Sequence, residues 1–284
     1  MKAKFLLLVG FFLFSLPVLA HPSVSIVIDS QGNIFYSDLE RIWMIRPDGT
    51  KIVAVENVHT HELWIDQSDV LYGEDVTNVG DNYRHRIWKR HPNGKIENEL
   101  DWRSGHPGDY NDYGFAHDAS GLMYVLVRNQ KRVDVMSGKR TVRSIPLEAY
   151  KGYIHWLTVR PDGTLFITIG DSLIRIGPGA SEGTVIAKGL IERTEAFDFL
   201  HDRHALMGLW TDSQENVYVS VFSGQVVKIV APDGSTTDAF QQTGEWSIVG
   251  GTIDKEGRTL LLEFSSNNQA RVRRIDKNGE VIFG

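Results

Sequence analysis

One unit recurs six times along the chain, and few folds accommodate it. An apolar strand runs into Asp-x-x-Gly or a relative, a second apolar strand follows, then Arg-Ile or a relative, then Pro-Asp-Gly or a relative. The first copy has Asp29 and Gly32, Ile34-Phe35-Tyr36, Arg41-Ile42-Trp43 and Pro47-Asp48-Gly49; the second has Asp66, Val70-Leu71-Tyr72, Arg86-Ile87-Trp88 and Pro92-Asn93-Gly94. The anchor positions 29, 66, 118, 160, 212 and 254 are separated by 37, 52, 42, 52 and 42 residues. A period near 40–45 residues carrying four short strands is the signature of a β-propeller. Asp-x-x-Gly and Pro-Asp-Gly are tight-turn sequences: Pro presets φ near −65° and Gly accepts a positive φ. The second strands are apolar at consecutive positions, as in Leu260-Leu261-Leu262, which fits sheets covered on both faces. The expected fold is all-β: a six-bladed propeller with four antiparallel strands per blade.

Residues 1–20 read differently from the rest. Lys2 and Lys4 precede an apolar run that ends in Val18-Leu19-Ala20, the pattern of a secretory signal peptide cut before His21. The expectation is a signal peptide over 1–20, one propeller domain over 21–284, and a secreted or periplasmic protein with no transmembrane segment after cleavage. The chain has no cysteine, so neither disulfides nor thiolate metal sites contribute. A net charge of −6 without a long basic run argues against nucleic acid as partner. No Gly-rich phosphate loop leads from a strand to a helix, so no nucleotide cofactor is expected.

Asn33-Ile34-Phe35-Tyr36-Ser37-Asp38, followed by Arg41-Ile42 and Pro47-Asp48-Gly49, resembles an NHL-type repeat. It is also similar to the group that holds the senescence-marker-protein/gluconolactonase and strictosidine-synthase-like propellers. The stretch from His155 to Leu165 (HWLTVRPDGTL) resembles a repeat of the virginiamycin B lyase group. The resemblance implies a propeller, and activities that include hydrolysis of lactones or opening of a cyclic ester with a bound divalent ion.

In an up-and-down blade of strands a to d, every Asp-x-x-Gly is an a–b turn and every Pro-Asp-Gly a c–d turn, so tight turns collect on one face. Residues 73–85, 102–112, 147–153, 188–204 and 241–247 read as irregular loops of the opposite face, where a ligand is expected near the axis. Five positions before each anchor stand Val24, His61, Tyr113, His155, Met207 and Val249. In the gluconolactonase-like family metal-binding carboxylates and amides occupy such positions; here there are imidazoles, which suit zinc, copper or iron, or metal-free acid–base work. His61 and His155 are the candidate catalytic residues and, with His204, the candidate ligands of one divalent metal ion. Tyr113, Trp156, Trp246, Glu74 and Asp75 are the candidate substrate contacts, with Asp81 on the same blade-two loop as Glu74 and Asp75, while His59, His204, Glu62 and Glu245 are the residues that could complete the imidazole set.

Nine positions after the anchors, Asp38, Asp75 and Glu263 accompany Arg41, Arg86 and Arg271, whereas Arg132 of blade three has Val127 in place of the acid. This coupling predicts ion pairs inside blades one, two and six. Two functions follow as expectations. One is a metal-assisted hydrolase or lyase acting on an ester- or lactone-like small molecule. The other is a non-catalytic propeller that binds a small molecule or an envelope or extracellular protein.

Overall fold

The computed structural model describes residues 22–79, 82–104 and 114–283. The proposed signal peptide and His21 lie outside the described residues. Six four-stranded antiparallel sheets follow one another along the chain. Blade one holds β1 (Ile26–Ile28), β2 (Ile34–Ser37), β3 (Arg41–Ile45) and β4 (Lys51–Glu56). Blade two holds β5 (Leu63–Ile65), β6 (Leu71–Val79), β7 (Asn82–Arg90) and β8 (Ile96–Ser104). Blade three holds β9 (Phe115–His117), β10 (Met123–Val127), β11 (Arg132–Ser137) and β12 (Arg140–Pro146). Blade four holds β13 (Ile154–Val159), β14 (Leu165–Ile169), β15 (Ser172–Ile176) and β16 (Thr184–Ala187). Blade five holds β17 (Leu206–Thr211), β18 (Val217–Val221), β19 (Val226–Val230) and β20 (Thr236–Gln241). Blade six holds β21 (Trp246–Ile253), β22 (Thr259–Ser265), β23 (Ala270–Asp276) and β24 (Gly279–Phe283). Helix among the described residues is limited to single 3₁₀ turns, and none is long and apolar enough to cross a membrane.

The anchors work as turn clamps. Asp29 Oδ1 accepts the amides of Gln31 and Asn33 at 2.9 and 2.8 Å, and the same pattern recurs at Asp66, Asp118, Asp212 and Asp254. The fourth place of the turn takes a positive φ whatever its residue: Gly32 at 85°, but also Asp69 at 60° and Glu215 at 70°. Geometry, not residue identity, is the invariant of this turn.

The core is divided by seams. Phe35, Ile42, Leu63, Leu71 and Trp88 fill the seam between blades one and two; Ile87, Phe115, Met123 and Val125 fill the next. Blades three and four share Leu126, Val133, Leu157 and Ile167, while Trp210, Val227, Ile248 and Leu261 join five to six. Since each sheet is packed on both faces, the consecutive apolar residues of the inner strands have no polar face to present. The ring closes where β1 packs on β21 and β22, with all four strands of blade one and all four of blade six contiguous in sequence.

Two expectations about the loop face change. Residues 73–85 are no irregular loop: β6 and β7 pair from Leu71↔Arg90 to Val79↔Asn82 as a long hairpin. Residues 102–104 likewise belong to β8. This elongation contributes to the first 52-residue step, and residues 105–112 of the expected loop lie outside the described residues. The second comes from the connector between β16 and β17, which contains 3₁₀ turns at Glu195–Phe197 and Asp202–His204.

Candidate functional site

On one side of the axis the chain is packed where a pocket was expected. A Cβ on Gly208 would lie 2.6 Å from Val24 O and 2.7 Å from Val249 O, and one on Gly250 would collide with Val24 O. The inner strands of blades five, six and one therefore meet backbone to backbone. Trp156 is buried in the same apolar cluster as Val24, Met207 and Val249, with Phe197 and Phe222, and so is core.

A cleft opens off the axis, on the loop face between blades one and two. This cleft has a volume of about 660 Å³. Leu39 and Glu40 come from the b–c loop of blade one, Arg41 from the start of β3, Glu56 from the end of β4, Asn57 to His59 from the connector, Asp75 to Thr77 from β6, Arg86 from β7 and Trp102 from β8. Two corners of the wall are left-handed: Leu39 at φ 75° and Asn57 at φ 58°. Asn tolerates that region, whereas Leu at positive φ is a strained position, held here by a hydrogen bond from its amide to Ser37 Oγ at 2.9 Å.

Asp75 organises the blade-two wall. Its Oδ1 accepts the amide of His59 at 3.1 Å, and its Oδ2 accepts Arg86 Nε at 2.9 Å and Nη2 at 2.8 Å. The Arg86 guanidinium lies 4.7 Å from the ring centroid of Trp102, with Arg84 at 5.0 Å. Carboxylate, guanidinium and indole thus form one stack, in which planar Arg meets an acid edge-on and an aromatic face-on.

Beneath the cleft sits a second layer. His61 Nδ1 lies 2.7 Å from Glu74 Oε1, which also accepts the His61 amide at 2.9 Å; both side chains are buried. The Glu74 carbonyl accepts Thr60 Oγ1 at 2.6 Å and Trp88 Nε1 at 2.9 Å. Trp88 reaches it because residue 73 is glycine: a Cβ there would lie 2.6 Å from Trp88 Cε2. The His59 ring stands edge-on to His61 with centroids 4.7 Å apart, linking the cleft wall to the buried pair.

His155 has a different setting. Its Nδ1 lies 3.2 Å from Arg203 O and its Nε2 3.0 Å from Gly170 O, and Tyr153 stacks edge-on at 5.2 Å. Burial pushes its pKa down to about 4, so the imidazole is neutral at pH 7 and donates through one nitrogen at a time. His155 thus pins the connector of blade five onto blade four. His204 is buried in the neighbouring 3₁₀ turn. Among the described residues no three His, Asp or Glu side chains converge as a ligand set, so the expected metal centre of His61, His155 and His204 is not assembled there. Trp246 heads β21 under the guanidinium of Arg271, 4.0 Å from its ring centroid, outside the cleft. Tyr113 and Asp81 lie outside the described residues. Of the expected contacts, Asp75 lines the cleft and Glu74 lies directly behind it. Sequence reading passed over Glu40, Glu56 and Asn57; a polar connector after a regular repeat is the only signal they carry.

The three predicted intra-blade pairs form. Arg41 Nε is 3.7 Å from Asp38 Oδ2, Arg86 is 2.8 Å from Asp75, and Arg271 Nε is 2.7 Å from Glu263 Oε2.

No protein-family model matches the chain, and no curated protein matches it in sequence. Solved structures do match. Virginiamycin B lyase from Staphylococcus aureus is 15% identical over 90% of this chain and 81% of its own, with a TM-score of 0.58. A gluconolactonase from Xanthomonas campestris is 14% identical over 85% and 84%, with a TM-score of 0.54. An auxiliary nutrient binding protein from Bacteroides thetaiotaomicron is 11% identical over 93% and 70%, with a TM-score of 0.60. At these identities the likeness is one of fold: a six-bladed β-propeller whose structural neighbours include both groups the sequence resembles.

Proposed function

We propose that this chain is an exported binding propeller whose cleft between blades one and two holds a small polar molecule. One observation carries the reading. The groups open to the cleft are the Asp75–Arg86–Trp102 stack and the polar connector, whereas His61 and His155, expected to do chemistry, are each 1% exposed. A rigid aromatic flanked by fixed charges supplies what orients a small polar ligand. That a nutrient binding protein shares the fold is in keeping with this reading. Thermal-shift screening against sugar acids, amino acids, lactones and short peptides tests it, followed by calorimetry on the strongest ligand. Trp102→Ala and Asp75→Asn are each expected to weaken that ligand at least tenfold. A panel without any ligand, or affinity unchanged in both variants, overturns the proposal. Export rests on residues 1–20, and amino-terminal sequencing of protein recovered outside the cytoplasm is expected to begin at His21.

A second reading is favoured by the series Glu74–His61–His59, which runs from a buried carboxylate to an imidazole on the cleft wall. Such a series supports general acid–base work by His59 on an ester or lactone. A lyase and a gluconolactonase stand among the structural neighbours. Turnover of a lactone or ester panel, lost in His59→Gln while ligand affinity persists, would select this reading over the first.

A further inference from the structure

We propose that the seam between blades two and three holds a second site, for a small amphiphile with a carboxylate head and a short apolar tail. A cavity of about 180 Å³ opens there, between the outer strands of blade two and the face of blade three. Its floor is mainly apolar, made by Ile87, Leu100, Val125, Val127 and Met136, with the buried His85 beside them. Its rim carries the guanidinium groups of Arg86, Arg103 and Arg132.

The repeat explains why the cavity is apolar at this seam. In blades one, two and six an acid stands nine places after the anchor and holds an arginine of the third strand. In blade three that place is Val127, so Arg132 turns along its own strand to Asp134, Nε to Oδ1 2.8 Å. The wall that would be carboxylate is isopropyl. Arg86 is held by Asp75 and Arg132 by Asp134. Asp101, also on the rim, is bonded to Lys139 at 2.7 Å. Arg103, exposed on β8, acts on Asp134 of the same rim through its field but has no hydrogen-bonded carboxylate among the described residues, so its N–H donors are open to a ligand's head group. About 180 Å³ is room for about six water-sized groups, which sets a short chain as the tail.

Calorimetric titration with straight-chain carboxylates from butanoate to octanoate, below self-association, tests the site. Saturable one-to-one binding is expected, tightening about fourfold per methylene until the cavity is filled. Octylamine is expected to bind at least tenfold more weakly than octanoate. Arg103→Ala and Val127→Asp should each weaken octanoate at least tenfold, while Glu40→Ala, in the other cleft, leaves it unchanged. If Val127→Asp does not fold by circular dichroism, the chain-length series and Arg103→Ala decide. Absence of saturable binding, equal binding of octylamine, or undiminished affinity in Arg103→Ala overturns the proposal. None of these outcomes depends on whether the cleft between blades one and two binds a ligand.

Discussion

Glu263 and Arg273 are joined at 2.7 Å on adjacent strands of blade six, and neither is more than 5% exposed. The same carboxylate also holds Arg271 at 2.7 Å and accepts Gln242 Nε2 at 2.5 Å. One acid therefore binds two guanidinium groups and an amide inside the fold. Its counterpart Asp38 serves the half-exposed Arg41 at the longer distance of 3.7 Å.

Glu263→Gln should destabilise the protein by about 3–5 kcal/mol, because it strands buried positive charge. Asp38→Asn, facing solvent-screened Arg41, should stay within about 1 kcal/mol of the parent. Urea titration of the three proteins makes the comparison, and equal losses would refute the assignment of burial as the cause.

Gly73→Ala forces a methyl into the indole of Trp88, which cannot retreat without releasing the Glu74 carbonyl. The expected loss is about 1–3 kcal/mol, the usual range for overpacking, with a shift in tryptophan emission. Differential scanning calorimetry and fluorescence read both. A melting temperature equal to the parent's would show that the indole is not fixed.

Stability should fall as pH drops from about 6.5 towards about 4. His155 and His117 are both pushed down to about 4 by burial, so the unfolded chain binds protons in that window that the folded chain refuses. The contribution is fully present above the unfolded value and is lost as pH falls through the folded one. His155→Gln should flatten the slope of unfolding free energy between pH 4 and 6.5, whatever its uniform offset. An unchanged slope would contradict burial of a neutral imidazole.

Asp75→Asn is expected to loosen Arg86 and, with it, Trp102. The pair is partly exposed, with Arg86 at 23%, so the loss should be about 1–2 kcal/mol rather than that of a buried triad. Denaturant titration measures the energy, and collisional quenching of tryptophan emission should increase if the stack opens.

The turns and ion pairs were legible because each rests on a short local pattern. Asp-x-x-Gly closes on its own amides, and an acid nine places on meets an arginine on the next strand whatever the rest of the blade does. The long β6–β7 hairpin was not legible: Glu74, Asp75, Thr77 and Arg84 show no apolar alternation that periodicity can detect. The setting of His155 was not legible for another reason. Residues 155 and 156 lie in a bulge between the pairs Ile154↔Ile169 and Leu157↔Ile167, where strand register shifts. Such a slip exchanges the directions of neighbouring side chains, so Trp156 joins the core and His155 turns towards Gly170 and Arg203. Alignment by anchors counts residues and cannot see a bulge.

Because no blade borrows a strand from a distant part of the sequence, every sheet is a cassette spelled out in one stretch. The join between first and last blades is held by side-chain packing and a few close backbone approaches, the same kind of glue as the other five joins. Cutting the chain at the turn around Gly244 and joining Phe283 to Pro22 through a linker would thus preserve all the pairings, merely relocating the place where the circle begins.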